Sequence, residues 1–174
     1  MKQEIQITGF GGQGIVLAGV VLAEAGARDG RHVVQSQSYG PESRGGAARA
    51  DVILSDTTID YPKVTAADVL VALSQPAFDK YAPLARPRAV VLVERDLVDT
   101  PGEDGRIRGL PFAALADGLG RRVTANMVML GALAGVTGCV SRPSLEAAVR
   151  LHVPPGTEEI NLKALDLGFR SAEE

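Results

Sequence analysis

The amino-acid sequence predicts a three-layer α/β/α domain built on a mostly parallel sheet. Three observations predict it. An isoleucine-rich, alternating segment at residues 4–8 breaks at Gly9 into a glycine-rich turn and then a helical pattern. Two short apolar runs, residues 68–73 and 88–94, have the length and composition of strands buried on both faces of a parallel sheet. The C-terminal third reads as successive helical segments.

Taken in chain order, the first strand leads to a helix over residues 15–27, with Leu17, Val20, Val21 and Ala25 at helical spacing and Gly26 and Gly30 marking its end. A second strand follows at residues 31–36. A strand, helix and strand joined this closely predict a right-handed crossover and parallel pairing of the two strands. The polar loop at residues 38–46 joins this strand to a third, alternating one at residues 47–55. Between the two apolar runs, residues 76–84 predict one short helix. After a turn-prone stretch at residues 100–105 come a small strand near Ile107 and helical segments starting near Phe112, Asn126 and Ser144. Asn126 and Ser144 are placed as N-caps, their side chains able to accept from free first-turn N–H groups. A last segment, residues 158–168, sets Leu162, Leu165 and Phe169 about one turn apart and is expected to pack back on the domain.

Composition bounds the function. At 174 residues the chain is expected to form one domain over residues 1–174, with a core large enough to stand without staples. Its 45% hydrophobic and 22% charged content argues against both a disordered chain and a membrane protein. A net charge of −3 with no basic stripe leaves nothing to neutralise a phosphate backbone, which excludes nucleic acid as a partner. Cys139 is the only cysteine, so no intrachain disulfide and no four-cysteine iron–sulfur or zinc site can be assembled from this chain. Beside Gly138 it reads as a small buried hydrophobe. His32 reads as a structural strand residue and His152 as a surface one. Asp96, Asp99, Glu103 and Asp104 read as a solvated acidic loop, and Glu173 and Glu174 as a solvated terminus. The opening residues lack the charged-then-apolar run of a secretory signal, and no apolar stretch approaches the roughly 20 residues of a membrane span, so a cytoplasmic location is expected.

Gly9-Phe10-Gly11-Gly12-Gln13-Gly14 fits the G-x-G-x-x-G spacing between a predicted strand and helix, which makes the fold Rossmann-like. Glycines there permit positive φ and close approach, while free N–H groups and the helix dipole favour a phosphate, pyrophosphate or carboxylate. A dinucleotide site also needs an acidic residue about 20 residues on, at the end of the second strand. Gln35, Ser36 and Gln37 stand there instead, and Arg31 lies at the wrong end of the strand for a 2′-phosphate. Nicotinamide binding therefore loses its support.

Ser38-Tyr39-Gly40-Pro41-Glu42-Ser43-Arg44-Gly45-Gly46 gathers a phenol, a carboxylate and a guanidinium on a loop stiffened by proline. If the first two strands run parallel, this loop and the glycine turn share the C-terminal edge of the sheet, where open α/β folds bind ligands. With both loops in view the chain resembles the gamma subunit of the 2-oxoacid:ferredoxin oxidoreductases, equivalent to one domain of the single-chain pyruvate enzymes. Ser74-Gln75-Pro76-Ala77, then Thr124-Ala125-Asn126-Met127-Val128-Met129-Leu130-Gly131-Ala132, and Asn161-Leu162-Lys163-Ala164 extend the resemblance over nearly the whole length.

That resemblance implies a complex that oxidatively decarboxylates a 2-oxoacid with coenzyme A to acyl-CoA, carbon dioxide and reduced ferredoxin. It places thiamine diphosphate and Mg2+ between alpha and beta subunits, and iron–sulfur clusters on beta or on a ferredoxin-like delta subunit. The chain itself would bind none of these alone. The second loop resembles the versions in 2-oxoglutarate and branched-chain enzymes more than those in pyruvate enzymes, which points to 2-oxoglutarate.

Three roles stay open at this point. In the first, Gly11, Gly12, Gln13, Gly14 and Arg44 contact coenzyme A or a partner, and Tyr39, Pro41, Glu42 and Arg44 form an interface with the catalytic subunits. In the second, the chain is a free-standing nucleotide-binding protein or small oxidoreductase. In the third, it is scaffold without ligand contact.

Overall fold

The computed structural model describes residues 1–39, 47–102 and 104–173. Six strands form one sheet in the order β2-β3-β1-β4-β5-β6. They are β1 (Lys2–Phe10), β2 (His32–Tyr39), β3 (Ala47–Ser55), β4 (Val69–Ala72), β5 (Val90–Glu94) and β6 (Ile107–Leu110). Strand β3 runs antiparallel to both neighbours, while β1, β4, β5 and β6 pair in parallel. The helices are α1 (Ile15–Arg28), α2 (Gln75–Tyr81), α3 (Phe112–Gly118), α4 (Ala125–Thr137), α5 (Arg142–His152) and α6 (Glu158–Ser171), with 3-10 turns at Ala82–Leu84 and Arg122–Thr124.

Pairing of the first two strands differs from expectation. They point the same way, but β3 lies between them, in register from Lys2↔Ser55 to Phe10↔Ala47 on one side and from His32↔Ser55 to Tyr39↔Ala48 on the other. Polarity explains the insertion. Strand β2, His-Val-Val-Gln-Ser-Gln-Ser-Tyr, has no fully buried residue and suits an edge. The inner place goes to β3, which buries Ala48, Ala50, Val52, Ile53 and Leu54. Small residues let α1 close on it: a Cβ at Gly19 would stand 2.7 Å from that of Ala50.

Crossovers leave β1 and β4 in opposite directions and on opposite faces. The α1 side carries the main core, with α3, α4, α5 and α6, and the other side carries α2 against β4 and β5. The C-terminal ends of β1 and β4 are therefore the topological switch point, where a crevice opens outside the sheet.

Behind that crevice, α4 is buried over residues 126–134 and packs on α6 through glycines. A Cβ on Gly168 would lie 1.9 Å from the Val128 carbonyl oxygen, and one on Gly131 would lie 2.1 Å from that of Leu165. Only glycine allows backbones this close.

Two predicted caps shift. Ser141, not Ser144, begins α5, its hydroxyl accepting from the Ser144 N–H at 3.4 Å. Asp29 in turn accepts from the Ser141 N–H and hydroxyl, both at 2.6 Å, joining α1 to α5. Asn126 lies inside α4, whose cap position is Thr124, because the preceding 3-10 turn starts the helix one residue earlier. His32 is exposed on the edge strand and not packed into it, since nothing covers β2 there. Cys139 is buried, and burial pushes its thiol pKa up.

Candidate functional site

The glycine-rich turn enters the crevice from the end of β1. Gly12 and Gly14 adopt φ of 90° and 73°, the left-handed region in which glycine is unstrained. A Cβ at Gly9 would meet Gln13 Oε1 at 2.3 Å and one at Gly14 would meet Asn126 Nδ2 at 2.4 Å, so the side chains that hold the turn would have to move. At Gly11 a Cβ would meet nothing within 4 Å. The fold of this chain gives no reason for a missing side chain at that position.

Gln13 acts as a staple. Its Oε1 accepts from the Phe10 N–H at 2.7 Å and its Nε2 donates to the Leu73 carbonyl at 3.1 Å, tying the turn to the end of β4 across the switch point. Asn126 holds the other flank, donating from Nδ2 to the Gly14 carbonyl at 3.3 Å. Helix α1 begins without a side-chain cap, and its first intrahelical bond is Ala18 N–H to the Gly14 carbonyl. The N–H groups of residues 15–17 precede that bond and have no acceptor among the described residues.

Between this turn and the 3-10 turn at Arg122–Thr124 lies a cleft of about 340 Å3. Its apolar walls are Leu73, Leu97, Phe112 and Val123, and Gln13, Glu94, Arg122 and Asn126 are its polar lining residues. Glu94 ends β5 and is 3% exposed. Its Oε2 accepts from the Ala113 N–H at 2.8 Å, capping α3, and its Oε1 accepts from the Asp96 N–H at 3.4 Å. Burial raises the Glu94 pKa, outweighing the two N–H donors that lower it. Among the described residues no group of three or more His, Cys, Asp or Glu is placed to hold a metal ion.

Four large apolar side chains are exposed along this edge. Phe10 is 39% exposed, Tyr39 65%, Leu97 49% and Val123 73%. These four stand at the C-terminal edge, at the ends of β1 and β2, just beyond β5, and ahead of α4.

The structure thus brings Gly11, Gly12, Gln13 and Gly14 to one crevice, with Tyr39 on the same edge. Pro41, Glu42 and Arg44 lie outside the described residues. Sequence reasoning did not select Glu94, Leu97 or Val123 as site residues. A signal existed for Glu94, a carboxylate closing an apolar run at the ligand-binding edge of a parallel sheet. The insertion of β3 bears on the dinucleotide reading too: a residue at the end of β2 is one full strand further from the turn than that fingerprint requires.

The family described as pyruvate ferredoxin/flavodoxin oxidoreductase matches residues 4–171. A 2-oxoglutarate synthase subunit KorC from Methanocaldococcus jannaschii is 49% identical over 179 aligned residues, covering 100% of this chain and 96% of the relative. A crystal structure of a keto/oxoacid ferredoxin oxidoreductase gamma subunit from Geobacter sulfurreducens superposes with a TM-score of 0.90 at 42% identity, covering 99% of this chain and 97% of that one. A ketoisovalerate oxidoreductase subunit VorA from Methanothermobacter thermautotrophicus is 35% identical over 98% of this chain, which spans 36% of that longer protein. The chain therefore belongs to the pyruvate ferredoxin/flavodoxin oxidoreductase family, and within it to the gamma subunits of the 2-oxoacid:ferredoxin oxidoreductases.

Proposed function

We propose that this chain, as one gamma-type domain over residues 1–174, is the non-redox subunit of a cytoplasmic complex that converts 2-oxoglutarate and coenzyme A to succinyl-CoA, carbon dioxide and reduced ferredoxin. The 2-oxoglutarate assignment rests on the near full-length similarity to the KorC relative. The observation that carries the subunit role is the C-terminal edge, where Phe10, Tyr39, Leu97 and Val123 are exposed, the last two at the cleft. Large apolar side chains left exposed along one edge mark a surface another protein covers. In the longer VorA relative the matching region is a little over a third of one polypeptide, which supports a companion in the position of the remainder.

Alpha and beta subunits, with a ferredoxin-like delta subunit, would carry thiamine diphosphate, Mg2+ and the iron–sulfur clusters. This chain has one cysteine, so it cannot supply a four-thiolate set. Coenzyme A fits the turn in chemical terms: free N–H groups at the start of α1 suit a pyrophosphate, and Gly11 and Gly12 leave open space for its approach. Gly11, Gly12, Gln13, Gly14 and Arg44 are the proposed contacts, Gln13 acting by holding the turn. Tyr39, Pro41, Glu42 and Arg44 are the proposed interface residues. Oxidation, decarboxylation and acyl transfer belong to the companions, and the isolated chain is inactive.

Affinity capture of the tagged chain from its native cell tests this. Thiamine-dependent subunits are expected to travel with it, in a fraction that reduces ferredoxin when given 2-oxoglutarate and coenzyme A. Arg44→Ala is expected to weaken assembly or raise the coenzyme A requirement. Capture of the chain alone, with tight binding of NAD or FAD, would point to the free-standing reading instead.

A further inference from the structure

Resting on the placement of coenzyme A at the glycine turn, we propose that Glu94 orients this ligand, its carboxyl group turning phosphates away from the cleft and leaving the interior to an uncharged part of the molecule that carries an N–H donor. The cleft opens beside the turn, since Gly12 and Gln13 line it together with Glu94. Its volume, about 340 Å3, sits at the low end of ligand pockets, which run from about 300 to 1,000 Å3. It therefore takes a part of coenzyme A and not the whole. Which part enters is a question of charge and hydrogen-bonding sense.

Turn and cleft differ in both. The turn offers N–H donors and, at Gly11 and Gly12, open space. In the cleft the walls are apolar and the polar atoms left over are acceptors. Glu94 is buried and accepts one N–H at each oxygen, from Ala113 and from Asp96, which leaves each oxygen a further lone pair. Asn126 commits its Nδ2 to the Gly14 carbonyl, and its Oδ1 accepts no hydrogen bond among the described residues. Arg122, the cation of the lining, is bound to Asp117 at 2.7 Å. A phosphate moved inward would meet acceptors where it needs donors, and an ionised carboxyl group across a space poor in water. An uncharged group with an N–H donor would find both acceptors and apolar walls.

Repulsion of this kind acts only while Glu94 is ionised, which makes anion binding proton-linked. Burial pushes the Glu94 pKa up, the N–H groups of Ala113 and Asp96 oppose that rise, the Asp96 carboxylate adds to it and the Arg122 guanidinium opposes it. The other residues lining the cleft carry no charge. An anion bound at the turn adds to the side that disfavours ionisation. Its arrival therefore draws a proton from solvent onto the Glu94 carboxylate, and affinity for anions falls as pH rises through the pKa of this group.

Competition between sulfate and coenzyme A for the complex of this chain with its catalytic subunits tests the orienting role. Sulfate keeps a constant charge from about pH 5 to about pH 8, so any pH dependence of its inhibition constant belongs to the protein. In the unaltered complex sulfate is expected to compete at least about threefold more weakly at the upper end of that range than at the lower. Glu94→Gln removes the charge but keeps an acceptor for the Ala113 N–H, and is expected to flatten the slope; Glu94→Asp keeps the charge and is expected to restore it. A residue that merely supported the cleft would, when replaced, weaken coenzyme A binding at every pH and leave the slope as it was. Calorimetry in two buffers of different ionisation enthalpy is expected to show more protons taken up on coenzyme A binding by the unaltered complex than by Glu94→Gln. Melting of each variant reports whether it folds, and the unaltered complex decides by itself if Glu94→Gln does not: a flat sulfate slope there overturns the proposal. Equal slopes in the unaltered complex and Glu94→Gln would also overturn it, while added coenzyme A still protected residues 10–14 from hydrogen exchange. Absence of that protection in the unaltered complex would instead overturn the placement of coenzyme A at the turn.

Discussion

Glycine is used in two opposite ways in this molecule. At the α4–α6 seam, Gly131 and Gly168 are required by their own chain, because a single added carbon would strike the facing helix backbone. At the crevice, Gly11 faces open space, and no contact within the domain accounts for it. The seam is a finished interior. The edge leaves large apolar side chains and an uncapped helix start exposed. The difference teaches that some glycines are fixed by the domain's own packing, whereas Gly11 is not.

Breaking the seam should have the largest effect. Gly168→Ala forces α4 and α6 apart and is expected to cost about 3 kcal/mol or more, read as a lower urea midpoint with the slope retained. A smaller loss should follow Gln13→Ala, which removes the hydrogen bond to the Leu73 carbonyl at the end of β4 and the one that Gln13 accepts from the Phe10 N–H within the turn. About 1–2 kcal/mol is expected there, with faster hydrogen exchange confined to the turn.

Glu94 sharpens the comparison through pH. Burial raises its folded-state pKa above the unfolded value of about 4.3. Its contribution to stability is therefore fully present below that value and is lost as pH rises through the folded pKa. Relative to wild type, Glu94→Gln should gain in melting temperature as pH is raised from about 4 to about 8. A difference independent of pH would contradict this account of the cleft floor. The smallest stability effect belongs to Gly11→Ala, expected within about 0.5 kcal/mol of wild type, yet with weakened assembly. Unimpaired assembly would remove the contact role of that glycine.

Much of this was legible in the sequence. The first helix, the third strand and the two buried parallel strands lie close to where periodicity places them, since each has a strong and unambiguous pattern. Pairing order was not legible: a strand, helix and strand unit says which way β1 and β2 run, but not that β3 fits between them. The information was in the polarity of β2, whose glutamines and serines cannot fill an interior position. Caps moved for local reasons, with Ser141 taking the role given to Ser144 and a 3-10 turn starting α4 ahead of Asn126. For the site, the glycine turn announces itself by spacing. Leu97 and Val123 do not, because an exposed apolar residue carries no signal until the fold gathers it with others.

The most direct test of the central claim is hydrogen exchange of this chain alone and in the assembled complex. Protection is expected on assembly at residues 10–14, 95–99 and 121–126, while the α4–α6 seam exchanges equally slowly in both. Protection elsewhere with these edge segments unchanged would show that the crevice is not where the domain meets its partner.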